Sequence, residues 1–115
     1  MQESILTPEQ YRDLTKKILH SVDRRFRIVP LNSLKNPKYH LKAPVYINLE
    51  YEEDQVVASF DDIEAFAYAE TESEAINQLS EEIVNIYEDL QKDQENLGPL
   101  PNKWWQYLKE IVGCR

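Results

Sequence analysis

Between Ala43 and Glu52 apolar and polar side chains alternate without a break. Val45, Ile47, Leu49 and Tyr51 fall on one side and Tyr46, Asn48, Glu50 and Glu52 on the other. A two-residue period of that length predicts a strand with one buried face. Glu53 and Asp54 interrupt it and Gln55–Phe60 resumes it at once, the spacing of a tight hairpin, although the Asn-Gly or Asp-Gly pair that favours one is missing. After Asp61-Asp62 a third strand is expected over 63–69. The period then changes to three and four residues. Ala75, Ile76, Leu79, Ile83, Ile86, Tyr87 and Leu90 form one apolar stripe, broad enough to cover a small sheet, and Asn77, Ser80, Glu81, Asn85, Glu88 and Asp89 are left to water. Thr71-Glu72-Ser73-Glu74 opens this helix as a capping box: the Thr71 hydroxyl accepts from the Glu74 backbone N–H, and the Glu74 carboxylate accepts from the Thr71 N–H. The acids of this first turn also suit the positive end of the helix dipole.

The flanking segments are patterned more weakly. Thr7-Pro8-Glu9-Gln10 supplies a cap, a proline at the first helical position and a glutamine three residues on, so a helix is expected from Pro8 to about Val22 with Tyr11, Leu14, Ile18, Leu19 and Val22 as its buried stripe. Arg24-Arg25-Phe26-Arg27-Ile28-Val29-Pro30 reads as a short strand with a basic outer face, its end placed at an edge by Pro30. Residues 31–38 read as a loop, and Tyr39 and Leu41 as a lead-in to the first core strand. Beyond the acidic stretch Gln91–Leu97, Gly98-Pro99-Leu100-Pro101 reads as a stiff turn, followed by a helix over 102–112 capped by Asn102. The expected architecture is α+β: a small antiparallel sheet of three to four strands packed by one long helix, with an N-terminal helix and a short C-terminal helix.

Length and charge narrow the reading. A chain of 115 residues fits one domain with one core. It has no run of about 18 apolar residues and no charged segment leading into an apolar stretch, so neither a membrane span nor a signal peptide is expected. Cys114 is the single cysteine, which rules out an internal disulfide, and the cytoplasm is the expected compartment. The net charge of −8 is unevenly spread. Residues 1–42 carry nine Lys and Arg against four acids, whereas residues 43–115 carry four against seventeen. The basic front either folds against the acidic back or leaves an acidic face to recruit a basic partner, since complementary charge speeds encounter and selects partners.

Catalytic motifs are missing. With glycine at 98 and 113 alone, the chain has no phosphate-cradling loop, dinucleotide fingerprint or nucleophile elbow. His20 and His40 stand beside no obvious nucleophile. Asp61, Asp62 and Glu64 are a tight carboxylate group that either holds Mg²⁺ for phosphoryl chemistry or simply makes a turn. Arg24, Arg25 and Arg27 around Phe26 either grip a nucleic-acid backbone or pair with acids. Trp104 and Trp105 lie about 100° apart on a helix, so both cannot be buried on one side; one closes the core or anchors a partner, and the other is left available. No catalytic residue, metal or cofactor is expected.

The text Val57-Ala58-Ser59-Phe60-Asp61-Asp62-Ile63-Glu64-Ala65-Phe66-Ala67-Tyr68-Ala69-Glu70-Thr71-Glu72-Ser73-Glu74-Ala75, in its order of hairpin, short strand and Thr-initiated helix, resembles the core of HicB-like antitoxins over about residues 43–91. The resemblance implies a partial ribonuclease-H-like α+β fold without nuclease activity, oligomeric as a dimer or higher, that binds and masks a small basic ribonuclease toxin. The acidic surface of Glu50, Glu52, Glu81 and Glu88, together with Trp104 and Trp105, is the expected contact; RNA binding through Arg24, Arg25 and Arg27 is the alternative. The glycine usual shortly before the threonine is replaced by Tyr68 or Ala69, and no ribbon-helix-helix or helix-turn-helix segment follows, so operator DNA binding is not carried over.

Overall fold

A computed structural model of the chain describes residues 26–115. Four strands form an antiparallel sheet: β1 (Phe26–Leu31), β3 (Val45–Tyr51), β4 (Val56–Phe60) and β5 (Ala65–Ala69), in the order β1-β3-β4-β5. A separate two-stranded ladder joins β2 (Tyr39–Leu41) to β6 (Val112–Cys114). The helices are α1 (Glu72–Lys92) and α2 (Pro99–Ile111). The expected N-terminal helix, and with it Arg24 and Arg25, lies outside the described residues.

The alternation in the sequence sets the sheet's two faces. Val45, Ile47 and Leu49 of β3, Val56, Ala58 and Phe60 of β4 and Ala65 of β5 are buried in one core with Ala75, Leu79, Ile83, Tyr87 and Leu90 of α1, which lies over β4 and β5. Apolar area removed from water, at about 25 cal/mol per Å², holds these layers together. The turn between β3 and β4 is tight, with Glu52 N–H donating to Gln55 C=O at 2.8 Å. A 3₁₀ turn, Asp61–Ile63, leads into β5 through Glu64, whose φ of 55° lies in the left-handed region.

Thr71 caps α1 as its sequence predicts, its hydroxyl accepting from the Glu74 N–H at 3.1 Å. The return contact differs: the Glu74 carboxylate accepts from the Thr71 hydroxyl at 2.9 Å rather than from the Thr71 N–H. Ser80, expected in water, is buried. Its hydroxyl donates to Ile76 C=O at 3.0 Å, which satisfies the buried group within its own helix.

The C-terminal third departs further from expectation. Helix α2 begins at Pro99 with Gly98 as its cap, so Pro99-Leu100-Pro101 is its first turn and not a separate stiff turn. Proline fits there because the first N–H groups of a helix have no intrahelical acceptor to lose. The helix ends at Ile111, and Val112, expected inside it, begins β6. Residues 39–41 pair with β6 instead of leading into the core sheet. Three rings in series tie the parts together: Tyr39 of β2 packs edge-on against Tyr87 of α1 at 5.2 Å, and Tyr87 against Trp105 of α2 at 5.4 Å. Among the described residues no helix is long and apolar enough to cross a membrane.

Candidate functional site

One face of the four-stranded sheet has a helix on it and the other has none among the described residues. Register puts Phe26, Glu50, Val57 and Tyr68 in one row across the open face, Ile28, Asn48, Ser59 and Phe66 in the next, and Pro30 beside Tyr46 in a third. Of these, Ile28, Tyr46, Phe66 and Tyr68 are exposed by 64, 67, 60 and 58%. Contiguous apolar surface of this kind is uncommon on a monomer, which makes this face the candidate site among the described residues. Glu50 is the single charged side chain at these ten positions, in a chain with 30% charged residues.

Carboxylates stand around the margin of this face. Glu52, Glu53 and Asp54 occupy the β3–β4 turn, and Asp61, Asp62 and Glu64 the β4–β5 connection, all exposed. Asp61 accepts from the Asn48 side-chain amide at 2.7 Å, which ties the connection to the open face. Among the described residues no three His, Cys, Asp or Glu side chains gather into a group fit for a metal ion. Burial first, and the Asp62 carboxylate second, push the Tyr107 hydroxyl up to about 12. A tyrosine in the unfolded chain ionises near pH 10. Between these values the unfolded chain has released a proton that the folded chain still holds, so stability falls as pH rises through that window. Unfolding in urea at about pH 9 and about pH 11 is expected to show a loss that Tyr107→Phe reduces; an unchanged loss in the variant would remove Tyr107 as its source.

The candidate residues separate into different environments. Arg27, expected on a basic outer face, is on the opposite side of β1, level with Leu49, where its guanidinium donates to the Tyr51 hydroxyl at 3.2 Å and lies 3.5 Å from the Glu72 carboxylate. The side of the strand that carries Phe26, Ile28 and Pro30 is apolar, and Arg27, itself exposed, reaches the first turn of α1 through Glu72. Trp105 is buried and Trp104 partly so. Glu88 accepts from the Tyr39 hydroxyl at 2.8 Å and lies 4.0 Å from Lys38, so it is engaged within the chain. Glu50, Glu52 and Glu81 are exposed, Glu50 on the open face, Glu52 at its margin and Glu81 on α1. His40 is half-buried in β2, and His20 lies outside the described residues.

Glu81 also belongs to a second feature. A groove of about 590 Å³ runs where α1 overhangs β5, lined by Phe66, Ala67 and Tyr68 of the strand and Gln78, Glu81, Glu82 and Asn85 of the helix. Tyr46 falls on the polar side of its strand's alternation, and Phe66 and Tyr68 carry no expectation from the sequence. The signal was present in the alternation of Ala65-Phe66-Ala67-Tyr68-Ala69, where the large residues occupy the side that the small ones leave. Comparison of the chain with protein-family models, with curated proteins and with solved structures finds no match.

Proposed function

We propose that this chain is a non-enzymatic protein-interaction module, similar in its core to HicB-like antitoxins, that binds and masks a small basic protein of the ribonuclease-toxin kind. The observation that carries the reading is the open aromatic sheet face, apolar at its centre and carboxylate-rich at its margin. A protein partner is favoured over RNA by charge. Base stacking on Tyr46, Phe66 and Tyr68 would need cations beside the rings to hold phosphates. The ten outward positions carry none, and Arg27 faces the other way. Interfaces of this type place aromatic anchors at the centre and charges at the rim, where charge steers encounter. The reading also includes self-association, as a dimer or higher, in the cytoplasm, through a surface other than the one that takes the partner.

The test is affinity purification of the tagged chain from its own cells at low salt, in parallel with the Tyr46→Ser/Phe66→Ser double variant. One small basic protein is expected with the parent chain, released as salt rises and depleted at least tenfold by the double variant. Co-expression of the chain is expected to relieve any growth arrest that this protein causes. Recovery of RNA, or of a partner indifferent to both substitutions, would overturn the reading.

A further inference from the structure

We infer that the free edge of β5 is the docking site, and that the partner enters it as an added antiparallel or parallel strand with basic residues on one side and apolar residues on the other. This rests on the reading above and assigns its contact mode. Strand β5 is at the end of the sheet order, and among the described residues no strand pairs with its outer side. An edge strand presents a row of backbone N–H and C=O groups, and proteins that do not use such an edge blunt it with lysine, proline or a bulge. The two edges of this sheet differ in that respect. Edge strand β1 carries Arg27 and Pro30, whereas Ala65-Phe66-Ala67-Tyr68-Ala69 has neither a charge nor a proline and pairs with β4 in unbroken register.

The groove at this edge sets the chemistry of the added strand. Side chains of a strand alternate between faces, so one set would point to the α1 side, where Glu81 and Glu82 stand with Gln78 and Asn85, and the other to the open side beside Phe66 and Tyr68. Lysine or arginine at every second residue meets the first set, and apolar residues between them extend the aromatic face. A second copy of this chain fits less well. Two β5 edges paired about a two-fold axis would bring both helices' Glu81 and Glu82 toward one another, and opposed like charges weigh against association. Strand addition of this kind draws affinity from main-chain hydrogen bonds and specificity from alternate side chains.

The test uses the full chain and two end-blocked synthetic peptides of equal charge, both alternating lysine with valine, one of them methylated on every backbone nitrogen so that it has no N–H to donate to a ladder. The lysine–valine peptide is expected to bind and to slow hydrogen exchange at the amides of Ala65–Ala69; its N-methylated counterpart is expected to do neither. Glu81→Lys/Glu82→Lys should weaken the lysine–valine peptide about tenfold or more and create affinity for a glutamate–valine peptide. Phe66→Lys should block both, as a charge does on other edges. Equal binding of the two basic peptides with no change at β5 would overturn strand addition while leaving an acidic docking surface. Binding of neither would overturn strand addition, and the purification from cells decides separately whether a basic partner exists.

Discussion

Trp105→Ala is expected to cost about 3–5 kcal/mol of folding stability, the range found when a large aromatic side chain is removed from a packed core. Trp104→Ala should cost about 1 kcal/mol or less, as substitutions outside a core do. The two residues are neighbours on α2, and the difference follows from their separation around the helix. Trp105 is 6% exposed, packs on Tyr87 with ring centres 5.4 Å apart, and has Lys109 Nζ 6.0 Å from its own ring centre. Because Tyr87 also carries Tyr39, loss of the indole removes support from both α1 and β2. Trp104 packs at the border of the core. For a domain of this size a loss of 1 kcal/mol lowers the melting temperature by about 4–8 °C, so Trp105→Ala should melt at least about 12 °C early. Urea unfolding of both variants reads the difference. Similar midpoints for the two would contradict this placement of the indoles, and a stable Trp105→Ala that loses partner binding would make Trp105 an anchor instead.

Local periodicity made the central part of the fold legible. The hairpin of β3 and β4, the strand β5 and the capped helix α1 each lie within a stretch where a period of two or of about four repeats several times, and their boundaries fall within a few residues of expectation. Pairing between distant short segments was not legible in this way. Tyr39–Leu41 and Val112–Cys114 have three residues each, too few to show a period, and nothing in either names the other as its partner. Proline misled at Pro99 and Pro101, since the same residue that ends one helix starts another.

The candidate site was half legible for a related reason. Alternation assigns residues to two sides of a strand without saying which strands share a face, so Tyr46, Phe66 and Ile28 come together only once β1, β3, β4 and β5 are in register. The same ambiguity reversed Arg27: in an arginine–apolar alternation at an edge, either set can face inward, and here Glu72 and the Tyr51 hydroxyl draw the arginine to the helix side. The count of charges makes the protein acidic. It did not separate Glu88, bound to Tyr39, from Glu81 and Glu82 beside the β5 edge.

Ending the chain at Ile111, so that β6 is lost, is expected to cost about 3 kcal/mol, most of it from one side chain and the polar groups it leaves behind. Val112 is 4% exposed, and full burial of such a side chain contributes about 1.5–3 kcal/mol. The ladder with β2 would go as well, together with the Arg115 N–H bond to Lys38 C=O and the Arg115 Nε bond to Asn36 C=O, both at 2.9 Å. The net contribution of a hydrogen bond is about 1 kcal/mol, and exposure of β2 to water offsets part of each loss. Gly113 shows how closely the two strands approach: a Cβ there would lie 2.6 Å from His40 Cε1, so Gly113→Ala should displace the imidazole and cost less than the truncation, since a side chain can move where a missing strand cannot be replaced. Thermal unfolding of the truncated chain should come about 10 °C or more below that of the parent, with hydrogen exchange at Tyr39–Leu41 the first to quicken. Strand β5 has no part in this ladder, so exchange at Ala65–Ala69 and binding of the lysine–valine peptide should persist below the lowered transition. A truncated chain that melts with the parent would mean that the contacts of Tyr39 with Tyr87, Glu88 and the Asn36 side chain hold β2 without β6.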